Sequence, residues 1–479
     1  MIIKKAATIV CAAVMMTCVQ SFSADVSYAE STETQSSSYA GRYQLSDPDA
    51  NDSTKKTYDF ICDNFERYII TCQQESTWMG SPDYEMNYIE KTTGKLPAMR
   101  GLDFMNGDFS GVVSRAKAWH EKGGLVTICW HTGINGNGYT ESLNDSPNFS
   151  KLLTKGTTEY KNMVANWDKA ADALSQLQDA GVTVFWRPFH EFDGQWFWWG
   201  KGGSQNFIKL WRMMYDYFTN EKGLHNLIWV LGYSGDVKSG WYPGDSYCDI
   251  IGSDTYDNTT NLKGWNKLKA LDTDKPMTFH ECGNVPSVSD FEADGDIWSW
   301  FMIWHTDYIT GNDKSNLKAV YNSDKVLTLD EISVDNYVYV TLNTNKDSLM
   351  QQPITVTFDD TDNTEFTSES SAFTLPELKD GTYKMTLSAE SFAPRTYEIE
   401  LSGGKLASDP NAVLNLKGDV NGDKNISASD LLLVKSHIKQ VKLLEGYALS
   451  CADVAKDSKI NASDLLKMKS HLKGVSLLW

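Results

Sequence analysis

Cysteine and proline are both scarce in this chain, with 8 and 12 among 479 residues. Cys11 and Cys18 sit in an apolar N-terminal run, which leaves Cys62, Cys72, Cys129, Cys248, Cys282 and Cys451. No two of these form a CxxC pair and their spacing is irregular, so neither a zinc site nor a disulfide framework organises the fold. A Cys62–Cys72 bridge is one option; the simpler expectation is small buried side chains. Basic residues are also in deficit, 44 Lys and Arg against 63 Asp and Glu, for a formal net charge of -19. Such a surface repels phosphate, which argues against nucleic acid or an anionic membrane as partner and suits a neutral polymer or bound calcium. Long apolar runs are missing beyond the first residues. Residues 6–19 follow Lys4 and Lys5 and are shorter than the roughly 20 residues a membrane span needs. They read as a signal peptide over 1–29, with Ser27 and Ala29 ahead of a cut before Glu30 or, alternatively, a cut after Ser23. Met15, Met16 and Thr17 make a poor lipoprotein box before Cys18. The expectation is a secreted, extracellular protein.

What is present falls into blocks. Residues 30–40 are rich in Ser, Thr and Gln and read as a flexible lead. Over 41–323, short apolar runs alternate with amphipathic stretches, the pattern of a parallel sheet wrapped by helices. Eight strands are expected at 67–72, 98–104, 125–131, 182–190, 227–233, 250–256, 276–281 and 300–306, with helices clearest at 159–180, 205–219 and 315–321. Eight such units over about 280 residues fit one closed (β/α)₈ barrel, a TIM barrel, whose active site lies at the C-terminal strand ends. Those ends are chemically loaded, with Trp130-His131, His190-Glu191, Asp254 and Tyr256, His280-Glu281, and Trp304-His305. Residues 326–404 alternate like half-buried strands at 337–340, 354–358, 383–387 and 396–401, which predicts a small antiparallel β-sandwich. It reads as a spacer or a carbohydrate-binding module, and 405–417 reads as a linker.

The last block, 418–479, repeats itself. The frame beginning at Asp419 returns at Asp453, each followed by a helix expected at 431–439 and 465–473. Calcium takes six to eight oxygens, and loop positions 1, 3, 5, 7, 9 and 12 can supply them. In the first loop these are Asp419, Asn421, Asp423, the Asn425 carbonyl, Ser427 and Asp430, with Gly422 read as the sharp-turn residue. The second keeps Asp453, Asp457, the Lys459 carbonyl, Asn461 and Asp464, has Ala455 at position 3, and is read with Ser458 in place of the glycine. The second site is therefore expected to bind calcium more weakly. These residues resemble a type I dockerin, an all-α calcium-binding module. The resemblance implies docking to a cohesin of a scaffold protein through Ala428-Ser429, Ala462-Ser463, Lys435-Ser436 and Lys469-Ser470, in either of two orientations.

Hydrolysis of a glycosidic bond needs two carboxyl groups, one to protonate the leaving oxygen and one opposite it. One apolar strand ends in His190-Glu191 and opens into a loop carrying Trp196, Trp198 and Trp199, whose rings suit the apolar faces of sugars. Another ends in His280-Glu281. On the fourth and seventh barrel strands these glutamates face each other, and a separation of about 5–5.5 Å implies retention through a covalent intermediate. Glu191 is then acid and later base, with a raised pKa, and Glu281 the ionised nucleophile. The bland alternatives are an aromatic core cluster and a strand-end glutamate paired with Arg100 or Arg187. No zinc-type cluster appears, so catalysis is expected to need no metal.

Together, His190-Glu191, the Gly194-x-Trp196-Phe197-Trp198-Trp199-Gly200 run and Glu281-x-Gly283 resemble glycoside hydrolase family 26 over about residues 41–323. The resemblance implies an endo-β-1,4-mannanase acting on mannan, galactomannan or glucomannan, with Glu191 as acid/base and Glu281 as nucleophile. It further implies that His131 contacts the sugar, Tyr256 hydrogen-bonds the nucleophile, and Trp196 and Trp304 act as platforms. The same family implies two alternatives, a β-glucanase acting on lichenan and a β-1,3-xylanase. A non-catalytic glycan-binding scaffold subunit is a third, at odds with both glutamates being present.

Overall fold

The computed structural model describes residues 44–479 except 272, 333, 351, 369, 370 and 377. The expected signal peptide and flexible lead lie outside the described residues. Eight parallel strands, β1 Ile69–Gln74, β2 Met99–Asp103, β3 Leu125–Cys129, β4 Val184–Arg187, β5 Leu227–Tyr233, β6 Ile250–Thr255, β7 Met277–Cys282 and β8 Trp300–Ile303, pair in chain order. β8 returns to β1 and β1 also pairs β2, which closes the ring. Strands buried on both faces read as continuous apolar runs rather than alternating ones. β3, β5 and β7 are buried at every position, which is why these runs are visible in sequence.

The helices follow from apolar spacing. Thr158–Gln178 starts where the Thr157 hydroxyl accepts from the Tyr160 N–H at 3.2 Å. It buries Met163, Trp167, Ala170, Leu174 and Leu177, one stripe at i, i+4, i+7. The chain leaves it through Gly181 in a left-handed conformation. Ser204–Tyr215 runs on into a single π-turn, Asp216–Glu221. The helix Asp52–Asn64 plugs the N-terminal end of the barrel. It sets Tyr58, Phe60 and Ile61 in one apolar cluster with Ile70, Met99, Phe185, Ile228, Ile250 and Trp300 of the strands. At the C-terminal strand ends the buried groups are instead polar, among them Arg187, Asp254 and Glu281.

β9 Val326–Leu327 adds to β1, so the barrel sheet extends past the expected start of the second block. Beyond it, β10 Tyr337–Asn343, β11 Ile354–Phe358, β12 Glu365–Ser368, β13 Ala372–Thr374, β14 Gly381–Ser388, β15 Arg395–Ser402, β16 Lys405–Leu406 and β17 Ala412–Asn415 form two sheets. Val338, Val340 and Leu342 of one meet Ile354, Val356, Met385 and Leu387 of the other in a shared core. The 405–417 stretch, read as a linker, carries β16 and β17, and β17 pairs parallel with β10. The sandwich is thus mixed rather than wholly antiparallel. The C-terminal block is helical, with Ala428–Ile438, Tyr447–Ala452 and Ala462–Leu472.

All six cysteines outside the N-terminal run are free thiols, so the Cys62–Cys72 bridge does not form. Inside the barrel, space is tight: a Cβ on Gly101 of β2 would lie 2.4 Å from Gln74 Oε1 and 2.8 Å from Met302 Sδ. Gly101→Ala is therefore expected to destabilise the barrel by about 1–3 kcal/mol through overpacking. Urea unfolding followed by tryptophan fluorescence measures it; an unchanged midpoint would show that the interior has slack there.

Candidate active site

Glu281, next to last in β7, is almost fully enclosed, 3% exposed. An isolated buried carboxylate is costly, so its oxygens need donors. Arg187 at the end of β4 donates from Nη1 to Glu281 Oε2 at 2.6 Å, and the Tyr256 hydroxyl donates to Oε1 at 2.8 Å. The Arg187 pairing considered from sequence is thus real and lies within the site. Arg100 pairs instead with Glu75 and Asp83. Burial pushes the Glu281 carboxyl above the ordinary range; the Arg187 charge pulls the other way and the Glu191 charge pushes it further up. Burial works against the Arg187 charge, but Glu281 outweighs it and holds the guanidinium protonated. Burial and the Glu281 charge raise the Tyr256 phenol, which keeps it a donor.

Glu191 is placed differently. It follows β4 in a left-handed conformation, φ 54°, and Phe189 two residues earlier has φ 53°. Such backbone is uncommon for non-glycine residues and concentrates at functional sites. The Glu191 N–H donates to the Gly232 carbonyl at 2.7 Å, and its Oε2 accepts from Trp196 Nε1 at 2.9 Å. Its side chain is half-buried, open to the cleft. Beside it, Asp254 is buried; burial first, then the Glu191 charge, push its carboxyl well above the usual range.

His131 follows β3 with its ring fixed. Nδ1 lies 2.6 Å from Asp103 Oδ2, and its backbone N–H donates to Oδ1 at 3.0 Å. With the Nδ1 proton directed at Asp103, Nε2 is left for the cleft. Asp103 is held low by this pairing despite its burial. Asp103, Cys129 and His131 have their potential ligand atoms within 4.8 Å of one another. The first and third are spent on each other, and burial raises the Cys129 thiol well above its ordinary value. His190 is neutral, lowered by burial and by the Arg187 charge, with Nε2 3.6 Å from Glu281.

The tryptophan loop divides. Trp196 is 42% exposed at the mouth, as a platform requires. Trp198 and Trp199 are buried and donate to the Thr132 and His190 carbonyls, so for them the core-cluster reading is correct. Trp304 follows β8 beside His131 at 6.0 Å between ring centroids. Next to it opens a cavity of about 520 Å³ lined by Trp78, Asn106, Tyr139, Trp304, His305 and Tyr308, among others. Sequence reasoning does not single out Trp78, Tyr139 or Tyr308, because none belongs to a recognisable motif or apolar period.

The C-terminal loops share one construction. Asp419 and Asp430 are buried. Asp419 accepts from the N–H groups of Gly422, Asp423 and Lys424, and Asp430 from those of Val420, Asn421 and Ser427. The second loop matches this with Asp453 accepting from Asp457 and Ser458, and Asp464 from Ala455 and Asn461. The left-handed residues are Gly422 and Lys424 in the first loop, Lys456 and Ser458 in the second. Ser458 is therefore the counterpart of Lys424, and Lys456 that of Gly422, which corrects the register read from sequence. Facing carboxylates enclosed by loop backbone suit a hard cation.

Removing Arg187 would strand a buried charge. Arg187→Met is expected to cost about 3–5 kcal/mol, and adding Glu281→Gln to recover a large part of it. A double-mutant cycle by chemical denaturation measures the coupling; strictly additive effects would show that the pair is not an energetic unit.

Residues 46–331 match the model of glycosyl hydrolase family 26, and residues 417–473 that of the type I dockerin domain. A mannan endo-1,4-beta-mannosidase of Thermothelomyces thermophilus is 33% identical over 313 residues, 60% of this chain and 63% of that protein. The mannan endo-1,4-beta-mannosidase A and B of Caldalkalibacillus mannanilyticus is 34% identical, covering 53% of this chain and 54% of that protein. The chain thus spans less than two thirds of the length of these relatives. Among solved structures, the GH26-CBM35 beta-(1,4)-mannanase of Podospora anserina superposes with a TM-score of 0.55 at 31% identity, over 62% of this chain and 70% of that one. A beta-mannanase from a symbiotic protist of the termite Reticulitermes speratus, complexed with gluco-manno-oligosaccharide, gives 0.55 at 31% identity over 60% and 97%. With its closed barrel and with Glu191 and Glu281 at its mouth, this chain belongs to glycosyl hydrolase family 26.

Proposed function

We propose that the chain is a secreted, retaining endo-β-1,4-mannanase held on a scaffold by a calcium-loaded dockerin. The observation that carries the chemistry is the asymmetry of the two glutamates. Glu281 is enclosed and gripped by Arg187 and Tyr256, so it stays in one place as a nucleophile must. Glu191 stands half-buried beside Trp196, where a leaving oxygen can reach it. In the first step Glu281 attacks the anomeric carbon while Glu191 gives its proton to the glycosidic oxygen, leaving a glycosyl ester on Glu281. In the second, Glu191 takes a proton from water, which attacks the same carbon and frees Glu281. His131, with Nε2 facing the cleft, Trp196, Trp304 and Tyr256 are the substrate contacts in this reading. Similarity to mannan endo-1,4-beta-mannosidases along the barrel supports mannan as the glycan.

For the scaffold, Asp419, Asn421, Asp423, Asn425, Ser427 and Asp430 would hold one calcium, and Asp453, Asp457, Lys459, Asn461 and Asp464 a second. Calcium would there neutralise the clustered carboxylates and fix the loops ahead of their helices. Leu432 and Leu466, Val441 and Val475, and Leu443 and Leu477 are exposed pairs, the members of each standing at equivalent positions of the two repeats. An exposed apolar surface repeated in this way supports docking to a cohesin through either half.

Glu191→Ala is expected to lower kcat on galactomannan by about 10²–10⁴-fold, and Glu281→Ala to abolish turnover. Equal, negligible hydrolysis of galactomannan, glucomannan and lichenan by wild type and both variants would end the enzyme reading. Proton NMR of the first products is expected to show the β anomer; the α anomer would exclude retention. Calorimetry is expected to find two calcium sites, the second weaker, with Asp430→Ala removing the first. Pull-down by a cohesin panel is expected only without chelator; capture that survives chelation would overturn the calcium requirement.

A further inference from the structure

Next to Glu281 on β7 lies a buried imidazole that the reaction above does not use. His280 is fully buried, and it interrupts the register of β7. Ser253 pairs with Phe279 but Asp254 pairs with Glu281, and a shift on the β8 side falls between Phe279 and Cys282. His280 is thus the extra residue of a β-bulge, a device that re-aims side chains beside active sites. As a result two consecutive residues reach one guanidinium. Arg187 Nη1 lies 3.1 Å from His280 Nδ1 and 2.6 Å from Glu281 Oε2.

The other ring nitrogen points across the barrel. His280 Nε2 lies 2.7 Å from the Tyr233 carbonyl at the end of β5. A carbonyl can only accept, and a guanidinium can only donate. The two contacts therefore fix the ring as neutral with its proton on Nε2. Room for it is made by glycine: a Cβ on Gly232 would lie 2.9 Å from His280 Nε2, and one on Gly252 3.0 Å from its Cδ2. Gly232 is also the residue whose carbonyl accepts the Glu191 N–H. Burial and the Arg187 charge both oppose protonation of the ring.

We propose that His280 is a positioning residue for both carboxylates, fixing Arg187 against Glu281 on one side and the end of β5, which anchors Glu191, on the other. The proposal rests on the roles assigned to Glu281 and Glu191 above. The groups facing Glu281 are Arg187 from β4, His190 and Glu191 after it, Cys129 of β3 with His131 and Tyr139 beyond it, Asp254 and Tyr256 at the end of β6, and Cys282 of β7 itself. Those facing His280 are Arg187, Glu281, His190 and Asp254, the last with Oδ2 3.8 Å from Nε2. Arg187 is the one permanent cation among these groups, so its placement sets how readily Glu281 ionises.

Two substitutions separate the contacts. In His280→Asn the amide oxygen replaces the Nδ1 acceptor but nothing reaches Tyr233. In His280→Gln the amide nitrogen can reach Tyr233 but Arg187 loses its acceptor. With Arg187 released, the Glu281 carboxylate is less stabilised. The acid limb of kcat/KM is therefore expected to move up by about one pH unit in His280→Gln and to stay in place in His280→Asn. Lower melting temperatures with unmoved limbs in both variants would reduce His280 to packing and overturn the proposal. Nitrogen-15 imidazole NMR of the full-length wild type needs neither substrate nor variant. It is expected to show a ring protonated at Nε2 from about pH 5 to 8, with Nδ1 coupled across a hydrogen bond to an arginine side-chain nitrogen. Absence of such a ring would sink the proposal, whereas wild type that shows the ring but cleaves no mannan would sink the functional reading alone.

Discussion

The barrel mouth is organised around one contact, the buried ion pair of Arg187 with Glu281. Two charges removed from water are tolerated only if further hydrogen bonds satisfy them and no competing charge displaces them. That requirement accounts for the polar upper half of the interior. Tyr256 completes the carboxylate, His280 accepts from the same Nη1 of the guanidinium that Glu281 holds, and His190 is kept neutral nearby. It also accounts for the lower half, where Met99, Phe185, Ile228, Ile250 and Trp300 close the barrel against the helix Asp52–Asn64.

The same contact separates the roles of the two acidic groups. Glu281 cannot move without leaving Arg187 unpaired. Glu191 is held mainly through its backbone, by an uncommon left-handed conformation and an N–H bond to Gly232, while its carboxyl is met by the Trp196 ring N–H. One group is fixed by its charge and the other by its backbone, a division that agrees with the nucleophile and acid/base roles proposed for them. Asp254, buried beside them, has its carboxyl pushed well up by burial and by the Glu191 charge.

How much of this is legible in sequence depends on whether the signal is local. The barrel strands are, because burial on both faces writes itself as apolar runs; β5 spans the residues expected for it. Glu191, Glu281, His131, Tyr256, Trp196 and Trp304 come to the mouth because each stands at a strand end or in the loop that follows one. Orientation is not legible. Nothing local distinguishes exposed Trp196 from buried Trp198 and Trp199, since the turn of the loop decides it. The bulge at His280 is hidden too, because register belongs to pairs of strands. β17 escapes for the same reason: its partner β10 lies far back in the chain, with Val340 opposite Ala412.

The module after the barrel illustrates how a short motif can satisfy three neighbours. In β10, Val338, Val340 and Leu342 face the sandwich core, while the Tyr339 hydroxyl donates to the Lys56 carbonyl and that of Tyr337 to Asp63 on the barrel's plugging helix. The apolar-aromatic alternation of Tyr337-Val338-Tyr339-Val340 therefore reflects two interfaces rather than one buried face. At the end of the strand, Asn343 donates to the Gly422 carbonyl and Asn345 to the Asn425 side chain, both in the first repeat loop of the C-terminal block. Tyr447 of the C-terminal block in turn donates to the Ala393 carbonyl and accepts from the Asn415 N–H. The module's other tyrosines are also engaged, Tyr383 with the Lys379 carbonyl and Tyr397 with Val413. The tyrosine hydroxyls of this module are committed to its own backbone and to the barrel, and its backbone in turn receives Tyr447 of the C-terminal block.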